Sequence, residues 1–314
     1  MPRFASIDIG TQTIRLLIAD TDTTGKLLPV YRDRSIIRLG EGMTENNCLQ
    51  KSPAERALTC INNFINIAHQ FESQKIFAVA TSCVREAQNG KDFLENIYRE
   101  TSVAVRLLSG DEEAGLSLLG VQSVFQNNHG HALIIDIGGG STELILTNGR
   151  TVELMESLPL GVVHLSEKYF HHDPPLENEL FDLTNEINLI LSNNCNIYNN
   201  SNLKKTGNLR FIGTAGTVTT LAAMKLKMAE YAIDKINGCI LTRDELEHIY
   251  KEMILIPSNI RINITGLEPG REVVIITGTR IVLSIMDLFA LKDISVSDAG
   301  LLEGILLEAT GVIA

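Results

Sequence analysis

The sequence has no tryptophan, only 8 prolines in 314 residues, and no run that reads as a membrane span. Its longest apolar stretch, residues 273–291, is interrupted by Gly278, Arg280 and Asp287, and a bilayer core would not accept those charges. Five cysteines, at 48, 60, 83, 195 and 239, are odd in number and include no C-x-x-C. Neither a disulfide framework nor a zinc site follows, and buried or idle thiols are expected. An acid at Asp8 stands where a secretory signal would need an unbroken apolar core, so a cytoplasmic protein is expected. Positive charge is also scarce: 27 Lys plus Arg face 38 Asp plus Glu, for a net charge of −11. Such a field does not gather nucleic acid. An anionic ligand would have to be held by local groups: backbone amides, a few arginines and a metal ion.

What is present is a globular composition, 44% hydrophobic with 24 glycines. Single cores stop growing near ~250 to 300 residues, so two domains are expected. The stretch IDIGGGSTELIL at 135–146 nearly repeats IDIGTQTIRLLI at 7–18, pairing Asp8 with Asp136, Gly10 with Gly138 and Thr13 with Ser141. Each copy reads as two apolar, β-branched strands around a small-residue turn. Between and after them, strands are expected at 75–80, 103–108, 209–212 and 294–296. Helices are expected at 53–71, 85–100, from Asp111, at 176–191, 218–230, 243–253 and 271–289, and from about Gly300. Strands alternating with helices mark an α/β protein. A repeat of about half the chain indicates two similar α/β domains, 1–127 and 128–314, facing one another across a cleft. The boundary is placed at the turn 126–130, with the final helix, about 300–314, a candidate to pack back on the first domain. The asparagine-rich segment 193–202 reads as a surface loop.

A strand ending in Asp-x-Gly before a hydroxyl-bearing turn lets backbone amides and a Thr or Ser hydroxyl face phosphate while the carboxylate holds Mg²⁺. An ordinary glycine-rich hairpin is the alternative for either copy alone, and two matched copies weaken it. A third small-residue turn, GTAGT at 213–217, follows an apolar strand and opens a helix, where amides and the dipole favour an anion. It is neither a Walker A loop nor G-x-G-x-x-G. His171 and His172 are adjacent and followed by Asp173-Pro174-Pro175, which suggests a surface loop. His129, His131, His164 and His248 lack ligand spacing.

Taken together, DIGTQTIR at 8–15, IDIGGGSTE at 135–143 and GTAGT at 213–217 resemble the phosphate segments of the exopolyphosphatase and guanosine pentaphosphate phosphohydrolase family. That family belongs to the actin-like, sugar-kinase-like ATPase superfamily. The motifs ATSCVREA at 80–87, SGDEEA at 109–114, GLEPGR at 266–271 and SDAGLLEG at 297–304 follow in the family's order. The resemblance implies two actin-like domains and Mg²⁺-dependent, or Mn²⁺-dependent, removal of a terminal phosphate from polyphosphate or guanosine pentaphosphate (pppGpp).

Carried over residue by residue, the resemblance makes Glu113 the catalytic carboxylate, aided by Arg85. From the residues alone Glu112 and Glu113 are equivalent candidates, because adjacent helical positions diverge by roughly 100° and only one can face a ligand. Ser109 or Asp111 would cap their helix. Asp136, Glu143 and Asp8 would hold the metal. Gly10, Thr11, Thr13, Arg15, Gly138, Gly139, Gly140, Ser141, Gly213, Thr214, Gly216, Thr217 and Arg271 would contact phosphate. Three departures from the family stand out: Thr-Gln-Thr at 11–13 where Ser-Asn-Ser is common, Leu302 where many members have Arg, and an end at Ala314 without the further helical domains of longer members. With the acidic charge, the last points to short polyphosphate or pppGpp rather than very long chains. No membrane partner is expected, and a homodimer is left open. An actin-fold kinase using ATP and a non-catalytic nucleotide or polyphosphate sensor are the competing readings.

Overall fold

A computed structural model describes residues 1–43, 47–125, 130–199 and 209–311. The turn at 126–129, with His129, and the end of the asparagine-rich segment lie outside them. The chain divides into two compact units, Met1–Ser123 with Gly300–Ala314, and Val124–Ala299.

The first unit runs β1 (Arg3–Ile9), β2 (Thr13–Thr21), β3 (Leu27–Ile36), α1 (Lys51–Gln70), β4 (Lys75–Ala80), α2 (Ser82–Glu86), α3 (Gly90–Thr101), β5 (Val105–Leu107) and α4 (Gly110–Val124). Its sheet has the order β3-β2-β1-β4-β5. The β1–β2 and β2–β3 pairs are antiparallel, and the β1–β4 and β4–β5 pairs are parallel. Helix α1 buries Ala57, Cys60, Ile61, Phe64, Ile65 and Ala68, the i, i+3/i+4 stripe of a helix laid on a core. That stripe joins Ile7, Ile9, Ile14 and Leu16 of the first hairpin in one apolar cluster.

The second unit runs β6 (His131–Ile137), β7 (Thr142–Asn148), β8 (Thr151–Leu158), α5 (Val162–Tyr169), α6 (Glu177–Asn194), α7 (Asn196–Asn199), β9 (Arg210–Thr214), α8 (Ala215–Lys225), α9 (Ile233–Ile236), β10 (Ile240–Thr242), α10 (Arg243–Met253), α11 (Ser258–Arg261), α12 (Ile275–Phe289) and β11 (Asp293–Val296). Its sheet order is β10-β11-β9-β6-β7-β8. With β10 set aside, it matches the first: an antiparallel meander continued by two parallel strands. The repeat therefore extends from one hairpin to the whole sheet, the two-fold α/β architecture the motifs implied.

The final helix, α13 (Leu301–Ala309), belongs to the first unit. Small residues let its backbone approach α4: a Cβ on Gly304 would lie 1.8 Å from the Leu116 carbonyl oxygen, and one on Gly120 would lie 1.9 Å from that of Gly300. Leu302 is buried with Leu17, Ala19 and Leu306, so it serves the core.

Several local expectations need correction. The helix expected at 85–100 is two helices. Ala87 is extended (ψ 134°), and a Cβ on Gly90 would lie 2.0 Å from the Val84 oxygen, so the chain turns sharply between α2 and α3. The asparagine-rich segment is not simply a surface loop, since Cys195 and Ile197 are buried and Asn196–Asn199 is helical. The helix expected at 218–230 starts earlier, at Ala215, and ends at Lys225, after which Lys227 takes a left-handed φ of 47°. None of the five cysteines, all among the described residues, is in a disulfide. Among the described residues no helix is long and apolar enough to cross a membrane.

Candidate active site

The first turn is closed by the Gly10 amide donating to the Thr13 oxygen at 3.1 Å. Its carbonyls are claimed by the following segment: Gly40 N–H donates to Thr11 O, and Ile37 and Arg38 N–H donate to Gln12 O. The Thr11 hydroxyl pairs with that of Ser82 at 3.0 Å, tying the turn to α2. Beneath it the buried Cys83 thiol is pushed up to about 12, chiefly by burial. Asp8 and Arg15 face each other across the β1–β2 register. Arg15 donates Nε and Nη2 to Asp8 Oδ2 at 2.8 and 2.6 Å. The other oxygen, Oδ1, is buried without a hydrogen-bond partner.

On α2, Arg85 Nη1 donates to the Leu108 carbonyl at 2.7 Å and lies 3.4 Å from Glu113 Oε2. The two adjacent acids have separated. Glu112 is exposed, accepts from Arg106 at 2.7 Å and from the Ser109 amide at 2.8 Å, and is held by them at about 2. Ser109 Oγ accepts the Glu112 amide in return, so Ser109 is the cap and Glu112 completes a capping box. Glu113 is 8% exposed and sits beside the guanidinium of Arg85.

In the second turn the Gly138 amide donates to Ser141 O at 2.9 Å. The amides of Gly138 and Gly10, both expected to face phosphate, are thus spent inside their turns. The first two amides of α5 pin the turn's carbonyls, Val162 N–H to Gly138 O at 3.1 Å and Val163 N–H to Gly139 O at 2.9 Å. Thr142 Oγ1 donates to Leu160 O at 2.6 Å from the same side. With its carbonyls fastened to the protein, the turn leaves the Gly139 and Gly140 amides without an acceptor among the described residues. Asp136 and Glu143 stand opposite each other in the β6–β7 register, 7% and 0% exposed. Ser141 Oγ donates to Glu143 Oε1 at 2.8 Å, so this hydroxyl serves the acid.

The third turn joins β9 to α8. Thr214 Oγ1 donates to Ala299 O at 3.0 Å, which takes that hydroxyl away from any ligand and leaves the start of α8 without a side-chain cap. Ala215 adopts φ 66°, a left-handed conformation that alanine rarely takes, so the turn is strained where the helix begins. Arg271 lies against Gly216 so closely that a Cβ there would be 1.9 Å from Nη2. Glu268 holds Arg271 Nε at 2.5 Å. Thr217 is buried against Gly278, and Gly213 against Val218 and Ile294. Two motifs far apart in sequence, GTAGT and GLEPGR, are thereby one cluster of N–H donors and a guanidinium.

Comparison with known proteins identifies the family. The pattern of the Ppx/GppA phosphatase family matches residues 17–311. The chain belongs to the Ppx/GppA phosphatase family. It is similar to a bifunctional 3-dehydroquinate synthase/phosphatase of Fusobacterium nucleatum, 36% identical over 97% of this chain and 46% of that protein. It is also similar to exopolyphosphatase 2 of Mycobacterium tuberculosis, 28% identical over 99% of both chains. The chain thus spans about half the length of the first curated relatives it matches, at 46% and 50%, and nearly all of the second mycobacterial one. Among solved structures, the Aquifex aeolicus family member is 30% identical with a TM-score of 0.79, over 100% of this chain and 99% of that one.

Within this Ppx/GppA chain, Asp8, Gly10, Thr11, Thr13, Arg15, Arg85 and Glu113 belong to the first unit, and the turns at 138–141 and 213–217, Asp136, Glu143 and Arg271 to the second. No group of three or more His, Cys, Asp or Glu gathers as a metal cage among the described residues. A pair fits Mg²⁺ nonetheless, because that ion keeps several waters and takes one or two carboxylates plus phosphate oxygens. Asp136 and Glu143, buried and directly opposite one another in the β6–β7 register, are such a pair. Asp8 is less suited, since Arg15 already neutralises it. Sequence reasoning missed Ser157, whose Oγ donates to Glu143 Oε1 at 2.8 Å, and Gly161, which packs against Gly139 and Gly140; their residue types carry no chemical signal, and only strand register and close packing bring them there.

Proposed function

We propose that the chain hydrolyses terminal phosphoanhydrides with Mg²⁺, or Mn²⁺ in its place, shortening small inorganic polyphosphates or converting pppGpp to ppGpp. Family membership supports the reaction class, and the relative named exopolyphosphatase 2 supports polyphosphate. The observation that carries the reading is the buried Asp136–Glu143 pair next to the unclaimed Gly139 and Gly140 amides. Two carboxylates beside N–H donors suit a cation together with phosphate oxygens, and do not suit an apolar substrate.

In-line hydrolysis needs a positioned water, neutralised phosphoryl oxygens and a held leaving group. In this reading Glu113 orients the water and takes its proton as the new O–P bond forms and the bridging P–O bond breaks. Arg85, anchored by Leu108, offers its remaining N–H groups to the transferred phosphoryl. The Gly139 and Gly140 amides, the uncapped start of α8 and Arg271 hold the neighbouring phosphates. Asp136 and Glu143 would hold the Mg²⁺ ion, whose charge would neutralise the phosphoryl oxygens.

Phosphate release from polyphosphates of several lengths, from pppGpp, and from ATP with sugars tests the reading. Release from neither polyphosphate nor pppGpp refutes it, and phosphate transfer to a sugar would establish a kinase instead. Glu113→Gln should lower turnover by roughly 10²- to 10⁴-fold, the usual worth of a general base, while substrate binding persists. Asp136→Asn should raise the Mg²⁺ requirement, and unchanged metal dependence removes Asp136 from the site.

A further inference from the structure

Ser157 lies in none of the motifs that mark the site, yet the β7–β8 register sets it directly opposite Glu143. Its Oγ donates to Glu143 Oε1 at 2.8 Å, the same oxygen and the same distance as Ser141 Oγ. Glu143 therefore has one carboxylate oxygen gripped by two hydroxyls, one from its own strand's approach and one from the neighbouring strand. Such a grip fixes the side-chain torsions of a fully buried acid, so its second oxygen is also confined to one place.

Ser157 itself is exposed and sits on the edge strand of its sheet. An exposed serine adds little to a core, so its alignment with a buried acid asks for a different account. We propose that Ser157 is a positioning residue for the divalent cation, acting through Glu143 by holding that carboxylate facing Asp136. This rests on the reading that Asp136 and Glu143 hold the metal. Partners that orient metal ligands typically tune affinity by 10- to 100-fold, and Ser157, sharing its task with Ser141, belongs at the lower end, about 10-fold.

The test uses the full chain and Mn²⁺ alone, with free Mn²⁺ read by electron paramagnetic resonance. Ser157→Ala should raise the Mn²⁺ dissociation constant about 10-fold, and Ser157→Thr, which keeps the hydroxyl, should restore it. The Mg²⁺ concentration for half-maximal phosphate release should rise in parallel, while kcat at saturating Mg²⁺ and the urea midpoint stay near wild type. Glu143→Gln separates the two levels of the argument. If Glu143→Gln weakens Mn²⁺ binding but Ser157→Ala does not, the positioning role is overturned and the metal site stands. If Glu143→Gln leaves binding unchanged, Glu143 is not a ligand and both fall. If Ser157→Thr fails to restore binding, the hydroxyl is not the active element and the proposal is overturned.

Discussion

Gly161 offers the sharpest test of how the turn at 138–141 is held. It precedes α5 with φ −92° and ψ 131°, a conformation alanine adopts without strain, so substitution by alanine perturbs only space. The added methyl would lie 2.2 Å from Gly140 C and 2.4 Å from Gly139 O and Gly140 Cα. These are backbone atoms with no rotamer to yield. Ordinary contact is about 3.5 to 4 Å, so the turn must retreat by more than about 1 Å. That retreat also stretches the Val162 and Val163 amides away from the Gly138 and Gly139 carbonyls. Overpacking of this kind costs about 1 to 3 kcal/mol, and a misplacement of about 1 Å costs near 10²-fold in rate. Gly161→Ala should therefore lose about 10²-fold in kcat/KM for phosphate release and still fold, with a lowered urea midpoint. Gly115→Ala in α4 is the control, because a Cβ there meets nothing within 4 Å. Activity of Gly161→Ala within about threefold of wild type would refute the idea that α5 fixes the turn.

At the third turn the clash falls on a side chain. In Gly216→Ala the methyl displaces the Arg271 guanidinium, 1.9 Å from it, so steady-state kinetics should show kcat/KM down about 10-fold with the melting temperature nearly unchanged; a large stability loss would mean the backbone moved instead. Away from the site, burial alone would raise the Glu179 carboxyl, but hydrogen bonds from His172 and from the Leu176 and His171 amides hold it at about 2. Because its folded pKa lies below the unfolded value of 4.5, Glu179 contributes stability that is complete above that value and is lost as pH falls towards about 2. The shift corresponds to about 3 kcal/mol at neutral pH. Glu179→Ala should lower the urea-unfolding free energy by that order at pH 7 and flatten its fall between pH 4.5 and 2, and an unchanged acid slope would refute the assignment.

Whatever depended on residue type was legible in the sequence. Aspartate, glycine and hydroxyl residues at strand ends announced the turns, and the twofold repeat of IDIG announced two matching sheets. What depended on register was not. Strands β3 and β8 went unread because an edge strand buries little. The first carries Pro29, Arg32, Asp33 and Arg34, and the second leaves Thr151, Val152 and Glu153 exposed, so neither shows a clean alternation. That Glu112 is exposed and Glu113 buried goes with their partners, Arg106 on β5 and Arg85 on α2, which no local pattern reveals. The spent amides of Gly10 and Gly138 were misjudged for a related reason: a glycine that permits a tight turn tends to close it with its own N–H.

The two copies of the hairpin solve the same electrostatic problem in opposite ways. In the first, Asp8 faces Arg15 across the register, and the guanidinium grips one carboxylate oxygen at 2.6 and 2.8 Å. That copy supplies its own cation. In the second, Glu143 occupies the position matching Arg15, and it faces Asp136 across the register. An arginine fixes a carboxylate permanently, with its donors set by the fork of the side chain, whereas a bound Mg²⁺ leaves coordination positions open to phosphate oxygens and water. A chain with two arginine-type hairpins would bind phosphate without activating it, and one with two acid pairs would concentrate four buried carboxylates around an anionic substrate. In the proposed reading, divergence at this single register position, Arg15 against Glu143, separates a hairpin whose acid is already paired with a guanidinium from one whose two acids would hold a cation.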